Sequence, residues 1–134
     1  MTDADKTPPA CGVSRIVSRQ PPQEYWFDEG CYIAEWFNDE SEPETSVVRA
    51  RVLPGTQTAW HRLSGVTERY VILAGDGFVE ITDLPGSPVS AGDIVHIAPG
   101  DAQRIRNDGP EELVFLAICT PRFTVECYSR LDED

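Results

Sequence analysis

The chain has 134 residues, of which 40% are hydrophobic and 25% are charged, a composition typical of one globular domain with a packed core. Its formal net charge of -12 argues against a nucleic-acid or anionic-membrane surface, because phosphate groups are bound through clustered Lys and Arg. No run approaches the length of a membrane span and no secretory signal follows the first Met, so we expect a cytoplasmic protein with reduced thiols. The redox state of Cys31 and Cys119 stays open at this point.

Three segments are expected along the chain. Residues 1–20 are predicted to form a flexible N-terminal arm, because they are polar and include the Pro8-Pro9 pair. Residues 21–129 are predicted to form one β-barrel domain, and residues 130–134 an acidic tail.

Short strands separated by turns account for most of the ordered chain. The run C-Y-I-A-E-W-F after Gly30 has strand length, and S-V-V-R-A-R-V from Ser46 alternates apolar and polar residues. Further candidate strands cover 57–63, 68–74, 77–82, 87–89, 93–98, 103–107, 112–119 and 123–128. Each separator contains Gly, usually with Asp, Asn or Pro, and no amphipathic segment of helix length interrupts the series. The pattern predicts an all-β sandwich or barrel.

One stretch places an imidazole and a carboxylate on neighbouring segments. In G-T-Q-T-A-W-H-R-L-S-G-V-T-E-R-Y-V-I-L-A-G, His61 follows Gly55 by six positions, and Glu68 precedes Gly75 by seven. A strand, a turn and a second strand would aim both side chains into one cavity as metal ligands or proton carriers. Tyr70, two positions after Glu68, should point into the same cavity.

These intervals resemble those of the cupin superfamily. Its first motif is G-x5-H-x-H-x3-4-E-x6-G, which the chain matches with leucine at position 63 in place of the second histidine. Its second motif is G-x5-P-x-G-x2-H-x3-N, which runs here from Gly92 to Asn107 with Ala98 and Gln103 as substitutions. The resemblance covers residues 30–121 and implies the double-stranded β-helix, or jelly-roll, fold in a small single-domain protein similar to mannose-6-phosphate-isomerase-like cupins.

The resemblance implies a metal site made of His61, Glu68 and Gln103, because Leu63 has no donor atom. Such a set would hold a divalent ion (Mn, Fe, Ni or Zn) more weakly than the full set, with open positions for a polar small molecule. Isomerase, lyase or dioxygenase chemistry would follow, with Glu68 and Tyr70 as catalytic residues.

Two alternatives stand beside the metal hypothesis. The same side chains can hydrogen-bond to one another around a metal-free pocket, used for binding, sensing or acid–base chemistry and lined by Leu63, Tyr70, Ile72 and Ile105. In the other alternative the site is purely structural, and the barrel serves only association. The resemblance also implies a homodimer, for which Trp60 and the aromatic residues of 25–37 offer apolar surface.

Overall fold

The protein is described here from a computed structural model, in residues 13–17 and 23–132. Residues 1–12 of the expected N-terminal arm, with 18–20, and residues 133–134 of the expected tail lie outside this range. Within it the chain forms eleven strands and one turn of 3-10 helix, Val125–Cys127. The strands are β1 (Tyr25–Phe27), β2 (Cys31–Phe37), β3 (Ser46–Val52), β4 (His61–Leu63), β5 (Thr67–Ala74), β6 (Asp76–Ile81), β7 (Ser87–Ser90), β8 (Ile94–Ile97), β9 (Gln103–Arg106), β10 (Leu113–Thr120) and β11 (Tyr128–Arg130).

The strands form two antiparallel sheets, as the all-β jelly-roll prediction requires. One sheet has six strands in the order β1-β2-β3-β10-β5-β8, and the other has five in the order β11-β4-β9-β6-β7. Strands distant in sequence are neighbours in both sheets, because a jelly roll passes the chain back and forth between its layers. The predicted fold is therefore confirmed.

The core lies between the inner faces of the two sheets. In β3 every second residue, from Ser46 to Val52, is buried, and in β5 the buried positions are Glu68, Tyr70 and Ile72. This period of two matches the alternation in the sequence. It also carries Glu68 and Tyr70 into the interior on one face of one strand.

Two of the predicted strands differ from the observed ones. Residues 57–60 do not continue β4, because only Gln57 forms a bridge, to Arg106, before the regular pairing of His61 begins. The segment 123–128 forms the 3-10 turn instead, and the strand starts at Tyr128. In the described residues, no helix is long and apolar enough to cross a membrane.

Described residues of both the expected N-terminal arm and the expected acidic tail make specific contacts. Arg15 forms an ion pair of 2.7 Å with Glu42. At the other end, the Leu131 amide donates to the Trp60 carbonyl, and the Trp60 amide donates to the Asp132 carboxylate. Hydrogen bonds thus hold the described part of the expected tail beside the start of β4.

Candidate functional site

Both sheets contribute to one buried polar site. In the five-stranded sheet, His61 of β4 pairs directly with Gln103 of β9. From the six-stranded sheet, β5 supplies Glu68 and Tyr70. All four side chains are buried, and Gln103 has no exposed surface. The candidate residues of the first and second motifs therefore lie together between the two sheets.

A chain of hydrogen bonds joins three of these side chains. The Tyr70 hydroxyl donates to Gln103 Oε1 at 2.5 Å, and Gln103 Nε2 donates to Glu68 Oε1 at 2.5 Å. Both ends of the Gln103 amide are therefore used within the protein. The second carboxylate oxygen of Glu68 has the Cys119 thiol 3.9 Å away.

His61 is held as a neutral imidazole. Its Nδ1 lies 2.7 Å from the Ala59 carbonyl oxygen, which can only accept, so Nδ1 carries the proton and Nε2 keeps a lone pair. Burial lowers the pKa of His61, which keeps the ring uncharged near neutral pH. The ring of Tyr128 stacks on it with centroids 5.3 Å apart, and this contact fixes the orientation of the imidazole.

Glu29 is the acidic residue of the site that the sequence reasoning missed. It lies in the turn between β1 and β2, and its Oε1 is 3.5 Å from His61 Nε2, beyond an ordinary hydrogen bond. Burial raises the pKa of Glu29 to about 8. A D-E-G turn before a strand is common in sequences, so only the three-dimensional placement distinguishes this carboxyl group.

Gly30 positions the turn that carries Glu29. Its φ of +115° is a conformation that residues with a side chain rarely adopt, and a Cβ there would lie 3.1 Å from the Gln57 carbonyl oxygen. The Ala59 amide donates to the Glu29 carbonyl, so the turn is attached to the segment leading into β4. Backbone contacts thus bring Glu29 and His61 together.

Burial also shifts the pKa of the Glu68 carboxyl group toward neutral pH. It raises the pKa of Glu68 to about 7, and the nearby Glu29 adds to this effect while the hydrogen bond from Gln103 opposes it. Burial raises the pKa of the Tyr70 hydroxyl well above its ordinary value, so this group stays protonated. The site therefore holds two carboxyl groups that can exchange protons near pH 7 and a phenol that cannot lose one.

A cavity of about 50 Å³ lies against the inner face of the six-stranded sheet. Its lining residues are Phe27, Glu29, Cys31, Ile33, Glu35, Val48, Ala50, Glu68, Tyr70, Phe115, Ala117, Cys119 and Phe123. Of the four residues expected to line the pocket, only Tyr70 does so. Ile72 and Ile105 pack in the main core, and Leu63 lies in a smaller cluster with Val66 and Cys119.

The three cysteines among the described residues, Cys31, Cys119 and Cys127, are free thiols. Cys31 and Cys119 both line the cavity as free, buried thiols, and burial raises the pKa of each. A buried thiol with a raised pKa is a poor nucleophile and packs as a small apolar group.

The arrangement does not fit a metal centre. Gln103 directs its oxygen to Tyr70 and its amide nitrogen to Glu68, so both ends of its amide are engaged within the protein. Leu63, at another position of the expected set, is a buried hydrocarbon. Within residues 13–17 and 23–132, no group of three or more His, Cys, Asp or Glu side chains is arranged to hold a metal ion.

Comparisons with known proteins agree with the fold. The family model for the cupin domain matches residues 48–119. An oxalate-binding protein of Thermotoga maritima is 33% identical over 70 residues, which are 52% of this chain and 57% of the relative. The chain thus matches only a little over half the length of this curated relative.

Solved structures that resemble the chain share the barrel at low identity. A structure described as a predicted oxalate decarboxylase of Thermotoga maritima has a TM-score of 0.71 at 23% identity, over 80% of this chain and 99% of that one. A nucleoside dehydratase, Pac13, has a TM-score of 0.71 at 13% identity, over 89% of this chain and 92% of that one. At these identities the likeness establishes the fold alone.

Proposed function

Because the chain belongs to the cupin family, we propose that it binds a polar small molecule in the barrel cavity and exchanges protons with it through Glu68, without a metal ion. The observation that supports this most directly is the hydrogen-bonded series Tyr70, Gln103 and Glu68, in which Tyr70 and Glu68 line the cavity. It engages the Gln103 oxygen, which the expected metal site would use, within the protein, and it holds one oxygen of the Glu68 carboxyl group.

Glu68 is the proposed acid–base group. Gln103 holds one of its oxygens, and the side chain lines the cavity, so the carboxyl group keeps a fixed direction toward a bound molecule. A pKa of about 7 lets it accept or donate a proton near neutral pH. Glu29, on the same cavity, is the proposed second proton carrier.

Tyr70 is the proposed binding residue. Its hydroxyl proton is committed to Gln103, so its oxygen can accept a hydrogen bond from the ligand but has no second proton to give. Tyr70 would therefore orient the molecule on which Glu68 acts.

A ligand screen run with and without chelator tests this proposal. Polar metabolites are added to the untagged protein, melting temperatures are measured with and without EDTA, and hits are mapped by amide chemical shifts. We expect hits that perturb residues around Glu68 and Tyr70, that survive EDTA, and that weaken in Glu68→Gln but not in Glu111→Gln, a change at an exposed acid. Ligand binding that EDTA abolishes would instead support the divalent ion expected from the motif, and the absence of any cavity-directed hit would contradict the proposal.

The expected homodimer is also retained as a proposal. Tyr25 and Trp26 of the edge strand β1 are 44% and 52% exposed, which offers apolar surface to a second copy. Light scattering at high protein concentration should give the mass of a dimer, and a monomer mass would contradict this.

A further inference from the structure

The wall of the cavity is acidic. Glu29, Glu35 and Glu68 contribute to its wall, whereas no Lys, Arg or His is among the described residues that line it. A molecule entering the cavity therefore meets hydrogen-bond acceptors and carboxyl groups. Two of these acids, Glu29 and Glu68, are largely shielded from water.

The three acids have neutral partners in the described structure. Gln103 and the Cys119 thiol flank Glu68, and the neutral ring of His61 is 3.5 Å from Glu29. Glu35, at the more exposed end of β2, contacts the Tyr25 hydroxyl and the Asn38 amide. Burying acids without a counter-charge is costly, and the raised pKa values of Glu29 and Glu68 reflect that cost. A positive charge in the cavity would relieve it.

Aromatic rings form much of the remaining wall. Phe27 and Phe123 meet edge to face at 6.2 Å, and Tyr70 and Phe115 lie with their centroids 4.3 Å apart. The faces of such rings attract organic cations, while the aliphatic residues Ile33 and Val48 suit an apolar body. A strongly hydrated inorganic ion gains little from such a wall.

We propose that the ligand of this cavity is a small organic cation, an ammonium or guanidinium group on a short apolar body. The cavity of about 50 Å³ is smaller than the roughly 150 Å³ space that holds a benzene molecule, so the body has few carbon atoms. This inference rests on the proposed function, and it differs from what the oxalate-binding relative takes up, because the described lining residues offer a dianion no basic side chain as a counter-charge.

Three probes of one size and different charge test the inference. Propylammonium, propanamide and propanoate are titrated into the isotopically labelled full chain in the presence of EDTA, with sodium chloride as the ionic-strength control. We expect propylammonium to shift amides around Glu68, Tyr70 and Phe115, propanamide to bind at least about tenfold more weakly, and propanoate to leave the cavity amides unchanged.

Variants link the response to the acids. Glu68→Gln and Glu29→Gln should each weaken propylammonium binding about tenfold or more, whereas Glu111→Gln should leave it unchanged. Two substitutions are used so that a folding defect in one, visible in its amide spectrum, leaves the other as the test.

The outcomes separate the two proposals. Equal binding of propanamide and propylammonium overturns the organic cation and leaves the metal-free binding site standing. Preferential binding of propanoate likewise overturns the organic cation and leaves the metal-free binding site standing. If none of the probes shifts cavity amides, the organic cation is overturned, while the ligand screen decides the proposed function independently.

Discussion

Gln103 Nε2 donates a hydrogen bond of 2.5 Å to Glu68 Oε1 across the gap between the two sheets. The cupin motif has a histidine at position 103, where it would present a nitrogen lone pair to a metal. An amide in its place offers the carboxyl group a proton instead. One substitution thus changes the relation between these two residues from shared metal ligation to direct pairing.

Restoring both histidines should create a metal site that the parent lacks. In a Leu63→His, Gln103→His double variant, two imidazoles join His61 and Glu68, and we expect about one equivalent of Ni, Zn or Mn to bind. Elemental analysis after metal loading and desalting measures this. Stoichiometric metal in the parent, lost in His61→Ala, would contradict the metal-free reading of the site.

Removing the Gln103 amide should destabilise the protein. Gln103→Leu leaves the buried Glu68 carboxyl group without its donor and the Tyr70 hydroxyl without its acceptor, at a cost of about 2 kcal/mol or more in the free energy of unfolding. Urea denaturation measures the change. Gln57→Leu, the same replacement at an exposed glutamine, is the matched control, and equal costs at the two positions would show that the buried hydrogen bonds contribute nothing.

Stability should fall as pH rises above the ordinary carboxyl range. The pKa of Glu29 is about 8 in the folded protein against 4.5 ordinarily, so between these values the folded state holds a proton that the unfolded state has released. The contribution of Glu29 is therefore fully present below pH 4.5 and is lost progressively up to about pH 8, at no more than about 1.4 kcal/mol per pH unit.

Glu29→Gln removes this titration and should flatten the pH profile of the unfolding free energy. Glu68, whose pKa is about 7, adds a slope of the same sign that remains in the variant. An unchanged profile in Glu29→Gln would mean that Glu29 titrates alike in the folded and unfolded states.

Gly30→Ala should cost more stability than an alanine at another glycine with positive φ. Gly30 has φ of +115° and its Cβ would meet the Gln57 carbonyl oxygen at 3.1 Å, while Gly92 has φ of +98° and open space around it. Both changes carry a backbone penalty of roughly 1–3 kcal/mol, and only Gly30→Ala should also shift amide signals near His61. Identical costs and an undisturbed His61 region would contradict the role of Gly30 in placing Glu29.

Thiol labelling should distinguish the cysteines of the folded protein. Cys31 and Cys119 are buried and Cys127 is partly accessible, so among these three Cys127 should be alkylated first, with Cys31 and Cys119 labelled only after denaturation. Peptide mass spectrometry after timed iodoacetamide treatment measures the order. Rapid labelling of Cys119 would show that the cavity opens more widely than the structure suggests.

The alternation of residues and the spacing of the motifs predict that His61, Glu68, Tyr70 and Gln103 lie together. They do so because a period of two determines which side chains of a strand face inward. The same rule could not decide which inward-facing residues meet empty space. Ile72 and Ile105 face inward yet pack in the core, since the fit of one sheet on the other determines where a cavity remains.

Glu29 and Tyr128 could not be found from local patterns. Glu29 reaches the site through a turn whose position depends on backbone contacts with Gln57 and Ala59, distant in sequence. Tyr128 follows a 3-10 turn, in a segment whose composition predicts one continuous strand from residue 123. Its pairing with Leu63 therefore could not be predicted from the sequence. Both contacts are long-range, and spacing rules describe only short-range order.

The stacking of Tyr128 on His61 has a consequence for the timing of folding. The His61 ring takes its neighbours from residue 29, from Ala59 and from the eleventh strand, so the site draws on both ends of the described chain. Contacts between such distant positions form late and slowly. Because β11 is the last strand of the described chain, Tyr128 can orient the imidazole only after the segments of all the other described strands have been synthesised.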